Sequence, residues 1–185
     1  MKHSVGSVGV AAVSWEELKQ NVYEVDGTWR DIYVLTSTWK DWETWADYVN
    51  ANYRVFFTDE HEQEHDQINI SEVQRIWQLN GNYLNSPGAT VFVGDIYVHC
   101  RFFQKEVIEN DVNPQQIDSY AAHLQLMAYM AGISKALGKE VVLTAENDTP
   151  GTCNPHWEWE WEWAPILAVN NDQIKVYRHW ADTAS

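Results

Sequence analysis

The residues of this chain that could do chemistry lie in three places. His61-Glu62-Gln63-Glu64-His65 matches H-E-x-x-H. On a helix, two imidazoles four residues apart share a face and hold zinc, and Glu62 would activate a water for hydrolysis. The surroundings argue otherwise. Glu60, Glu64 and Asp66 flank the motif where a zinc-hydrolase helix is apolar, and no downstream carboxylate stands out as a third ligand. The stretch Asp59–Asp66 reads equally as a solvated acidic loop. No metal is expected, and His61 and His65 are the candidates if one binds.

The second place joins His99-Cys100 to Cys153-Asn154-Pro155-His156. Two cysteines and two histidines could form a zinc site. Yet neighbouring residues of a strand point to opposite faces, so His99 and Cys100 do not easily meet one ion. Cys100 then reads as a small apolar filler and Cys153 as a loop residue.

The third is Trp157-Glu158-Trp159-Glu160-Trp161-Glu162-Trp163. Strict alternation has the period of a strand, with indoles about 6.6 Å apart on one face and carboxylates on the other. Three readings stay open. The indole face packs on a helix with the glutamates in water; the row Glu158, Glu160, Glu162 recognises basic side chains of a protein partner; or the indoles stack on sugar rings, as in a carbohydrate-binding module. Nucleophile-elbow, phosphate-loop and dinucleotide motifs are absent from the sequence, so no cofactor is expected. A pair of carboxylates set for glycoside cleavage leaves no mark in a sequence.

These residues need elements to position them. Ser14 with Glu17 reads as the cap of a short helical turn. Asn21–Asp26 alternates, Asp26-Gly27 is a turn, and Trp29–Leu35 is a strand, together a hairpin. Thr38 caps a helix carrying Trp42, Trp45, Ala46 and Val49 on one stripe, followed by the strand Tyr53–Thr58. Ser71–Gln74 is a capping-box pattern that starts a helix over about Glu72–Asn80, stopped at Gly81. Thr90–Val93, Gly94-Asp95 and Ile96–Phe103 form a hairpin, and Val107–Val112 adds a strand. Asn113-Pro114 opens the longest helix, about 24 residues or roughly 36 Å, ending at Gly138. Glu140–Thr144, the Trp/Glu stretch with Ala164–Val169, and Gln173–Tyr177 supply further strands. The fold class is α+β: a largely antiparallel mixed sheet of about eight or nine strands backed by three main helices. One domain, 1–185, is expected, with 1–13 a loose arm.

Charge narrows the partner. The chain carries 27 Asp+Glu against 12 Lys+Arg, a net charge of −15. That excess repels nucleic acid and anionic membrane and favours encounter with a basic protein. With 45% hydrophobic residues the chain is too apolar for a disordered acidic tail. Eleven tryptophans are too many to enclose easily in 185 residues, so some are expected at a contact surface. The N-terminal run lacks the apolar segment of a secretory signal, which places the protein in the cytoplasm with free thiols.

Three stretches carry a resemblance. They are Trp29–Val34 leading into the Trp-rich helix, Asp95–Phe103 with Ile108–Pro114, and Val141–Asn147. Together they cover under a third of the chain, and they resemble bacterial immunity proteins of polymorphic-toxin and contact-dependent inhibition systems. That resemblance implies a non-catalytic protein that neutralises a cognate secreted toxin domain. On this reading the charge donors are Glu158, Glu160 and Glu162 together with Asp59, Glu60, Glu62, Glu64 and Asp66. The alternatives are a metal-dependent hydrolase using His61, Glu62 and His65, or a carbohydrate-binding module on Trp157–Trp163.

Overall fold

The computed structural model describes residues 13–79, 85–146 and 165–177, and the backbone of Val8–Gly9. The Trp/Glu stretch, Cys153 and His156 lie outside the described residues. In chain order the elements are β1 (Val8–Gly9), α1 (Trp15–Asn21), β2 (Arg30–Val34), α2 (Trp39–Asn52), β3 (Arg54–Thr58), β4 (Glu64–His65), α3 (Ile70–Gln78), β5 (Gly88–Val93), β6 (Ile96–Cys100), β7 (Ile108–Val112), α4 (Tyr120–Leu137), β8 (Val141–Ala145), β9 (Leu167–Asn170) and β10 (Gln173–Val176). They build one ten-stranded antiparallel sheet in the order β1-β10-β9-β8-β2-β7-β6-β5-β3-β4. The class is α+β. Both outermost strands are two residues long. Among the described residues, no helix is long and apolar enough to cross a membrane.

Local chemistry sets most boundaries. Thr38 and Asp41 close a reciprocal capping box at the start of α2, and Lys139 Nζ bonds Asp41 Oδ2 at 2.8 Å from the far side. Gly94, at φ +63°, makes the β5–β6 turn, and Gly138, also at +63°, ends α4.

Several expectations are corrected. Asn21–Asp26 is not a hairpin strand: Asn21 ends α1 and the rest is a loop, in which the Arg30 guanidinium binds the carbonyls of Val22 and Glu24 at 2.8 and 3.0 Å and gathers the chain around itself. The helix expected from Asn113 is two elements. Asn113 caps only a 3-10 turn, Pro114–Gln116; buried Ile117 leaves helical geometry, and Ser119 caps α4 afresh. Asn69 caps α3, two residues before the expected Ser71. Within the expected N-terminal arm, Val8 and Gly9 pair with Val176 and Lys175.

Among the described residues, all four helices cover one face of the sheet and leave the other, the helix-free face, without one. There Leu18, Trp42, Trp45, Val73 and Leu126 pack on the alternate strand residues Ile32, Val34, Val55, Val91, Val98, Ile108 and Leu143. Trp42 and Trp45 are fully buried and meet edge-to-face at 5.4 Å, and Trp42 Nε1 donates to Lys105 O at 2.9 Å. The other alternation, through Tyr33, Val142 and Ala168, forms a smaller cluster on the helix-free face.

Candidate functional site

The helix-free face holds the chain's unusual chemistry. Its residues arrive there because strands alternate, so every second side chain of β2, β3, β5, β6 and β7 points away from the helices. Cross-strand pairing then aligns them in rows. One row runs Phe56, Thr90, His99, Asp111, Asp31, Thr144. A neighbouring row is Arg54, Phe92, Tyr97, and another is Glu109, Tyr33, Val142.

The outer part is an aromatic platform. Phe56 and Tyr97 are 39% and 44% exposed, Phe92 meets Tyr97 edge-to-face at 5.2 Å, and the Arg54 guanidinium lies 3.6 Å over the Phe92 ring. Trp29 rests against His99 with ring centres 5.5 Å apart. Exposed aromatics and arginine in one patch are the composition of interface anchors.

The inner part is acidic. Tyr33 Oη donates to Asp31 Oδ2 at 2.9 Å. Arg101 Nε bonds Asp111 Oδ2 at 3.4 Å, and the Trp29 N–H donates to Glu146 Oε2 at 2.9 Å. Burial pushes Glu109 up to about 7; Asp111 and Asp31 add to the rise, and a Tyr33 hydrogen bond opposes it. Burial also holds Asp111 above the ordinary aspartate range, with Glu146 adding and Arg101 opposing. His99 is lowered by burial and by Arg101. Three carboxyl groups, Asp31, Glu109 and Asp111, are thus crowded on adjacent strands where water is partly excluded.

Thr90, His99 and Asp111 set hydroxyl, imidazole and carboxylate side by side. The hydroxyl lies 3.0 Å from His99 Nδ1. Among the described residues, however, no hydrogen bond joins His99 to Asp111, so the imidazole lacks the orienting carboxylate that activates a nucleophile. Nor, among the described residues, does any group of three His, Cys, Asp or Glu stand ready to hold a metal ion.

The acidic segment Asp59–Asp66 is a tight hairpin turn. Asp59, a nominated charge donor, is buried: it accepts the N–H groups of His61 and Gln63 at 2.8 and 2.9 Å and lies 2.8 Å from His65 Nε2, whose hydrogen bond is the main cause lowering the Asp59 carboxyl. Glu60 is buried too, in an ion pair with Arg75. Both acids organise their own turn. Glu62, Glu64 and Asp66 are exposed. His61 and His65 lie in a turn and a strand, without the helix on which H-E-x-x-H binds zinc, and His61 Nε2 sits 3.8 Å from Glu60 Oε1. His99 and Cys100 face opposite ways, the thiol being fully buried. Glu158, Glu160 and Glu162 lie outside the described residues.

Sequence reasoning missed Asp31, Glu109 and Asp111. The alternation Ile108-Glu109-Asn110-Asp111-Val112 was a signal that two acids share one face. Compared with known proteins, the chain matches no family model, no curated protein and no solved structure.

Proposed function

We propose that this chain is a non-catalytic protein that binds a basic protein partner, and that it neutralises that partner as the resembled immunity proteins do. The supporting observation is that one sheet face carries both an aromatic platform, Phe56 and Tyr97 exposed around Phe92, and, across Thr90 and His99 in the cross-strand row, the carboxyl of Asp111 with Glu109 beyond it. A guanidinium or ammonium from a partner would add to the counter-charge that Arg101 supplies to Asp111, while the rings bury apolar area around it. The net charge of −15 would speed the encounter at low salt. Exposed Glu62, Glu64 and Asp66, and the glutamates of the Trp/Glu stretch, would act as steering charges. The cytoplasm is the proposed location.

The test is a titration with a labelled arginine-rich peptide. Net charge alone attracts such a probe, so the decisive variants are uncharged changes. Phe56→Ala and Tyr97→Ala should each weaken binding about tenfold, with the circular dichroism unchanged. Equal binding by wild type and both variants would reduce the attraction to general electrostatics and remove this face from the account.

A further inference from the structure

On the opposite side of the molecule, the outward face of α4 is largely apolar, with Gln125 and Lys135 as its exposed polar residues. Tyr120 and Leu124 are 43% and 47% exposed, and Ala121 and Ala128 are exposed beside them. Beside α4 lies a hollow of about 580 Å³ walled by Tyr48, Ala128, Ala131, Gly132 and Ala136, with the Lys135–Asp172 ion pair on its rim. Tyr48 closes over the bare backbone of Gly132, where a Cβ would sit 1.7 Å from the hydroxyl.

We propose that this face binds a second copy of the same chain, the two α4 helices running antiparallel about a two-fold axis at Ala128. An isologous contact must be self-complementary, and this helix is. A two-fold axis at Ala128 sets Leu124 of one copy opposite Gly132 of the other, where the projecting side chain would lie against the Tyr48 ring at the wall of the hollow. Tyr120 likewise meets Ala136. Lys135, paired with Asp172 in its own copy, comes opposite Ala121, one turn from the exposed Asp118 at the start of the partner helix. Small residues at the crossing let the axes approach to about 8 Å.

Charge selects the same face. A chain with 27 acidic residues repels its own copies, yet the 18 residues of α4 include no Asp or Glu. Two such chains meet here without an acidic side chain on either helix, Asp172 at the hollow being paired with Lys135, and added salt, by screening the remaining repulsion, should strengthen the pair.

Light scattering on the full chain, at tens of micromolar and over a range of salt, should give twice 21.5 kDa. Leu124→Arg and Ala128→Glu alter exposed positions and should return the mass to that of one chain with an unchanged circular dichroism spectrum. In a Cys153→Ser background, Ala128→Cys should cross-link under mild oxidation. Ala121→Cys should not, because its two copies would lie about 21 Å apart along the axis. A single-chain mass at every concentration and salt overturns the proposal. So does a dimer that survives Leu124→Arg, or one that Ala121→Cys cross-links as readily as Ala128→Cys.

Discussion

Asp31 and Asp111 stand directly opposite each other on adjacent antiparallel strands. Like charges in that relation destabilise a sheet, and each is held by a different device. Tyr33 donates to Asp31, and Arg101 reaches Asp111. Glu109, one alternation away, absorbs the remaining crowding by holding its proton. A fold that keeps such a row carries a local cost that a cationic partner would relieve.

The Glu109 carboxyl gives a pH signature. Its folded pKa, about 7, lies above the ordinary 4.5. The carboxylate is therefore disfavoured in the fold: the cost is absent below pH 4.5, grows as pH rises, and is complete above pH 7. Glu109→Gln should raise the melting temperature above pH 7 by about 2–4 °C and leave it nearly unchanged below pH 4.5. Thermal unfolding across this range measures the difference.

His123 acts at the acid end. It is fully buried, with Nδ1 2.8 Å from the Tyr23 hydroxyl and Nε2 without a partner among the described residues. Burial lowers its pKa from 6.5 to about 4. Both folded and unfolded chains are neutral there above pH 6.5; below it the unfolded chain takes up the proton first, and stability falls until about pH 4. At about 1.4 kcal/mol per pKa unit the loss is at most about 3 kcal/mol. In His123→Gln, urea unfolding should show a lower stability at neutral pH and a flattened slope between pH 6.5 and 4.

The Trp42 indole joins α2 to the loop before β7. It meets Trp45 and Trp77 edge-to-face, lies tilted against Phe102 and donates to the Lys105 carbonyl. Trp42→Ala should cost about 3–5 kcal/mol. Trp39→Ala, at a half-buried position, should cost clearly less, and denaturant midpoints would rank the two.

Reversing Glu158, Glu160 and Glu162 to Lys should slow association with a basic partner about tenfold at low salt, and much less at high salt. Stopped-flow rates would report it; identical rates would take that stretch out of the steering account.

What the sequence made legible was local. Thr38 with Asp41, and Gly94-Asp95 between alternating runs, announce their helix start and hairpin through interactions within a few residues. Reading failed where a distant group decided. Nothing in Asn21–Asp26 says that Arg30 will gather its carbonyls. Ser119 could compete with Asn113 as a cap only once Ile117 was drawn into the core. The acidic row depends on the register of β2 against β7, which brings Asp31 to Asp111 across a long stretch of chain. Asp59 and Glu60 looked like solvated charge because their burial rests on His65 and Arg75.

The short outermost strands have a consequence for growth. Among the described residues, β1 and β4 leave Gln173–Ile174 of β10 and Arg54–Phe56 of β3 unpaired on their outer side. Runs of two or three residues give an incoming backbone little to copy, which disfavours fibre elongation through these margins. A protein stored at high concentration should gel or precipitate through its broad surfaces long before it forms cross-β threads.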